Sequence, residues 1–91
     1  MRVKIISASH HRNGVGGAGF YAILFKWAGQ TMIASMFDEP GYCAVYCVSM
    51  LAAGNAEFGG GNSWRGDEFE AALRPALEEW PAAHESEAAH V

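Results

Sequence analysis

The chain has 91 residues, 51% of them hydrophobic and only 18% charged, with a formal net charge of −4. That length holds one core and no second domain, and that composition excludes a chain disordered throughout. No stretch approaches the roughly 20 apolar residues of a membrane span, and an acidic balance argues against a general nucleic-acid binder, which gains from counterion release only when it is basic.

The charge is unevenly placed. Through Phe37 the chain carries Arg2, Lys4, Arg12 and Lys26 and no acidic residue; from Asp38 onward it carries ten carboxylates against Arg65 and Arg74. The balance is therefore +4 before Asp38 and −8 from it onward. Such a split suits a negative surface that meets a positively charged partner. The opening residues do not read as a signal peptide, because Lys4 interrupts a short apolar run that ends before His10 and His11. With two cysteines only, a reducing cytoplasm is the expected compartment.

In chain order, residues 2–9 read as a strand with Val3 and Ile5 on one face and Arg2, Lys4 and Ile6 on the other. Asn13–Gly14 and the glycines after it are loop chemistry. Phe20 to Trp27 alternates, and Tyr21, Ile23, Phe25 and Trp27 form the expected core face. Ala28–Gly29–Gln30 is a short turn into the strand from Thr31 to Phe37. Asp38–Glu39–Pro40–Gly41 is the clearest turn in the chain, since proline presets φ and glycine accepts a positive one. Tyr42 to Met50 follows as a fourth strand, and Leu51 to Gly54 suggests one helical turn.

A C-terminal helix is expected to start at Asp67, with Glu70 three residues on completing a capping box. Phe69, Leu73, Leu77 and Trp80 form its apolar stripe, Pro75 should kink or split it, and residues 82–91 are expected to fray. The fold class is thus α+β: a four-stranded antiparallel meander with one C-terminal helix packed on it, in a single domain over 1–81. The two open edges of a meander leave room for a homodimer.

Gly14 to Gly19 formally matches G-x-G-x-x-G, with Asp38 19 residues further on. The first glycine, however, stands too far from a strand end for the tight turn a dinucleotide site requires, and the chain is too short for a doubly wound sheet. His10, His11 and Arg12 on a glycine-rich loop, together with Lys26, could bind a phosphate or carboxylate. Against this, neighbours in an extended chain point to opposite faces. Cys43 and Cys47 lie about 13 Å apart on a strand, too far for a disulfide, and are expected as small buried hydrophobes. Arg65–Gly66–Asp67 is the tripeptide that adhesion receptors read, yet Asp67 is already committed as a helix cap. Trp64, in a polar glycine-bounded loop, is either folded back into the core or exposed as a binding anchor; it and Arg65 are residue types that dominate interface hot spots. No catalytic set, metal set or cofactor site emerges, and the protein is expected not to be an enzyme.

Three segments carry a resemblance. His10–His11–Arg12–Asn13–Gly14 with the glycines up to Gly19–Phe20, Cys43–Ala44–Val45–Tyr46 running to Leu51–Ala52–Ala53–Gly54–Asn55, and Phe58–Gly59 with Asn62 to Glu70 and Ala72–Leu73–Arg74 together resemble short uncharacterised proteins of bacterial plasmids and phages. The resemblance covers roughly residues 8–80. It implies a setting in which small acidic proteins, anti-CRISPR proteins among them, bind and disable host defence nucleases. The expected function is therefore a non-enzymatic, protein-binding inhibitor that docks through an acidic surface, with Trp64, Arg65, Glu68, Glu78 and Glu79 as partner-binding residues. The alternative is an anion or nucleic-acid binding module using His10, His11, Arg12 and Lys26.

Overall fold

Residues 1–12, 19–49, 60 and 64–88 are described by the computed structural model; for residues 64 and 81–88 only the backbone is considered. Four strands, β1 (Lys4–His11), β2 (Phe20–Trp27), β3 (Gln30–Phe37) and β4 (Cys43–Cys47), precede one long helix, α1 (Trp64–Ala88). The strands form one sheet in the order β1-β2-β3-β4, antiparallel throughout, and α1 packs on one face of it. The fold is α+β. Leu51–Gly54, Gly14–Ala18, Asn62 and Ser63 lie outside the described residues.

Alternation decides which face is covered. Ile23 and Phe25 from β2, Met32, Ala34 and Met36 from β3, and Cys43, Val45 and Cys47 from β4 are buried against Phe69, Leu73 and Leu77 of α1. Tyr21 and Trp27 pack partly against this core. Burying a side chain such as Phe25 or Leu73 in full contributes on the order of 1.5–3 kcal/mol. Phe69 is the keystone, tilted against Phe25 at 5.7 Å between centroids and edge-on to Trp27 at 5.1 Å.

The two turns among the described residues follow from their sequence. Ala28 (φ 50) and Gly29 (φ 77) join β2 to β3 as a two-residue loop with both central residues left-handed, the pattern whose twist matches that of the strands. Gly41, at φ 123, closes the β3–β4 turn.

In β1 the register shifts between Ile5 and Ser7, leaving Ile6 as a bulge that is 44% exposed. Before the bulge Ile5 pairs with Phe25 on the helix-facing side; after it, Ala8 pairs with Ile23 and His10 with Tyr21 on that same side. Strict alternation from Ile5 would have put His11 there instead.

The helix departs from expectation at two places. It begins at Trp64, three residues before Asp67, so Asp67 lies in the first turn and is not the cap. Glu70 instead binds the β3–β4 turn. Pro75 does not split the helix, whose backbone runs on to Ala88. Pro75 and Ala71, the residue whose carbonyl the proline leaves without its helical donor, are both exposed, so water can take that carbonyl. Gly66 lets the start of α1 settle on β4: a β-carbon there would lie 2.8 Å from the Cys43 carbonyl oxygen.

Candidate functional site

On a helix turning about 100° per residue, side chains cluster by angle as much as by sequence. Phe69, Leu73 and Leu77 point to the sheet, which sends Asp67, Glu68, Glu78 and Glu79 outward within an arc of roughly 120°. All four are exposed, and none takes part in an ion pair among the described residues. The two arginines of the helix flank this arc and are engaged by other partners. Arg65 lies over the ring of Trp27, 5.5 Å from its centroid, and Arg74 reaches the end of β3. Lys4 and Lys26 pair with each other on the sheet face away from the helix, where Lys26 Nζ donates to Thr31 Oγ1 at 2.8 Å. Lys4 and Lys26 therefore make no ion pair with the acidic helix face among the described residues.

Along one edge of this face the helix is fastened to the β3–β4 turn. Glu70, buried, accepts from the Gly41 backbone N–H at 3.2 and 3.3 Å and from Arg74 Nε and Nη2 at 2.9 and 2.7 Å. Arg74 continues outward, donating from Nη2 to Phe37 O at 2.7 Å and from Nη1 to Asp38 O at 3.1 Å. A charge with so little solvent needs such a ring of partners.

At the same turn Asp38 meets β1. Its backbone N–H donates to Gly19 O at 3.0 Å, extending the β2–β3 ladder by one rung. Its carboxylate accepts from His10 Nε2 at 2.8 and 3.0 Å, so that nitrogen carries the proton. His10 also lies against Tyr21, 4.7 Å between ring centroids. A β-carbon on Gly19 would collide with the Asp38 carboxylate and stand 3.1 Å from His10 Nε2, which gives this glycine a steric reason independent of any phosphate loop.

The four residues of the anion-binding alternative are not brought together. His10 faces the helix side and is held by Asp38, while His11 faces the opposite side, stacked on Phe20 with Ser9 Oγ 3.0 Å from its Nε2. Arg12 is exposed at the end of β1, and Lys26, paired with Lys4, is six residues along the sheet from that end, about 20 Å away. Of the partner-binding candidates, Glu68, Glu78 and Glu79 share the outer helix face, Arg65 packs on Trp27, and the side chain of Trp64 is outside the described set.

Asp38, Tyr21, Arg74 and Gly19 were not singled out as site residues from the sequence. Only the i,i+4 spacing of Glu70 and Arg74 carried a local signal; the rest meet across 11 positions of chain, for His10 and Tyr21, to 37, for Phe37 and Arg74. Cys43 and Cys47 are buried thiols on the core face that form no disulfide with each other, as their spacing indicated, and Cys47 Sγ donates to Gln30 Oε1 at 3.1 Å. Burial, together with the nearby Glu70 carboxylate and against the opposing effect of Arg74, pushes the Cys43 thiol up to about 12. Among the described residues no three His, Cys, Asp or Glu side chains stand close enough to hold a metal, and no helix is long and apolar enough to cross a membrane. No family model, curated protein or solved structure matches this chain.

Proposed function

We propose that this protein is a small binding protein, not an enzyme, that docks on a positively charged partner through the outer face of α1. The observation that carries the reading is the segregation of charge: Asp67, Glu68, Glu78 and Glu79 face outward together, while Arg65 lies over Trp27, Arg74 at the border of that face is tied to Glu70 and the end of β3, and the paired Lys4 and Lys26 lie on the far face of the sheet. A coherent field of one sign speeds encounter with a surface of the opposite sign and disfavours other partners. The partner class named by the resemblance, a cytoplasmic host defence nuclease, offers such a surface wherever it grips nucleic acid. Occupying that surface would block substrate entry, which is the inhibitory action proposed here.

The test is affinity capture from the host with the wild-type chain and with the Glu68→Lys/Glu79→Lys variant, followed by a cleavage assay on the captured nuclease. Capture by the wild type that is lost in the variant and weakens with salt, with cleavage suppressed, is the expected result. Equal capture by both proteins would remove the acidic face from the interaction. Both substitutions lie on exposed positions, so folding is retained.

A further inference from the structure

Where α1 crosses the end of the sheet near the β3–β4 turn lies a cavity of about 270 Å³, lined by Tyr21, Met36, Asp38, Arg74, Leu77 and Glu78. Its floor is apolar, because Met36 and Leu77 are core side chains and Tyr21 packs partly against the same core. Its rim is charged. Arg74 is engaged by Glu70, Phe37 O and Asp38 O, so its charge is paired and four of its five N–H donors are occupied. Asp38 is shared with His10. Glu78 is exposed and makes no hydrogen bond or ion pair among the described residues.

A ligand that suits this lining must bring an apolar stem and a positive end. An anion would meet two carboxylates beside a guanidinium that is already paired, and a wholly apolar group would desolvate Glu78 with nothing in return. The volume is just below the range of pockets that hold drug-sized ligands, and suits one long side chain. We propose that this cavity receives a lysine or arginine side chain of the protein partner. The methylene stem lies on Met36, Leu77 and the Tyr21 ring, and the cationic head meets Glu78 with Asp38 as second acceptor. The inference rests on the acidic-face reading and deepens it: the face steers the partner, and the cavity seats one anchor residue of the kind that dominates interface energetics.

The test is an amide-resonance titration of the full chain with the tripeptide acetyl-Gly-Arg-Gly-amide, its lysine counterpart, and its citrulline counterpart as a neutral isostere. Saturable shifts centred on Tyr21, Met36, Leu77 and Glu78 are expected with arginine or lysine, and affinity about tenfold lower with citrulline, the loss of one charge-assisted contact. Glu78→Gln should weaken the arginine peptide about tenfold, clearly more than Glu68→Gln/Glu79→Gln, which removes two charges of the surrounding field but no contact in the cavity. An equal response to citrulline, shifts spread evenly over Glu68 and Glu79, or an unchanged affinity in Glu78→Gln would overturn the proposal. The two readings fail separately. A silent cavity with capture still abolished by Glu68→Lys/Glu79→Lys removes the cavity alone; a responsive cavity with capture unaffected removes the acidic face and keeps the ligand class.

Discussion

Glu70 and Arg74 form a side-on pair one helical turn apart, Nε and Nη2 of the arginine lying 2.9 and 2.7 Å from one oxygen of the carboxylate. The pair is a clamp between layers, since Glu70 also accepts from Gly41 N–H while Arg74 also donates to Phe37 and Asp38 carbonyls. Those three backbone groups belong to the turn that carries Asp38, so the clamp sets the position of one wall of the cavity.

Removing one member of the clamp strands the other. Arg74→Ala is expected to lower unfolding free energy by about 2–3 kcal/mol, the low end for a broken buried pair because the guanidinium keeps some solvent contact. Adding Glu70→Ala should cost little more, as coupled partners do not add. Urea denaturation of the two single variants and the double variant measures both points.

Gly19→Ala puts a methyl group where the Asp38 carboxylate sits. The carboxylate is the end of a movable side chain, so the backbone survives and the His10–Asp38 bond is lost. A cost of about 1 kcal/mol or less is expected, as for an exposed ion pair, and it should shrink in an Asp38→Ala background. A double-mutant cycle by thermal or urea unfolding reads this out.

Ala28 holds a left-handed φ of 50 in a turn that favours asparagine or glycine. Ala28→Asn is expected to raise stability by about 0.5–1 kcal/mol without changing the sheet. Comparison of urea midpoints at constant slope checks it.

Cys43 titrates near 12 when folded, against 9.0 for an unperturbed thiol, so folding favours its neutral form. The resulting stabilisation is fully present below pH 9 and is lost as pH rises from about 9 toward 12, because the unfolded chain then gives up a proton the folded chain retains. Stability should therefore decline across that window, and more steeply than in Cys43→Ala, in which this titration is missing. At pH 8 a thiol reagent should label Cys43 only on unfolding.

Much of the architecture was legible in local pattern. The period-2 run from Phe20 to Trp27 marked its inner face, and Asp38–Glu39–Pro40–Gly41 marked its turn, because alternation and turn chemistry act within a few residues. The stripe Phe69, Leu73 and Leu77 marked the buried side of α1 for the same reason. The helix start was misplaced because Asp67 and Glu70 have the spacing of a capping box, and spacing alone does not reveal that Glu70 faces Gly41 across the layer.

The amino-acid order by itself determined the class of fold, the inward face of β2, the buried thiols and the apolar stripe of the helix, all consequences of periodicity within single elements. Only the tertiary structure decided that His10 and not His11 turns to the helix, since one extra residue at Ile6 reverses the facing of the strand after it. It likewise decided that Asp38, Tyr21 and Arg74 converge beside Glu78, and that Gly19 lies against the Asp38 carboxylate. These groups are neighbours through strand register and layer packing, which depend on how distant stretches of chain meet.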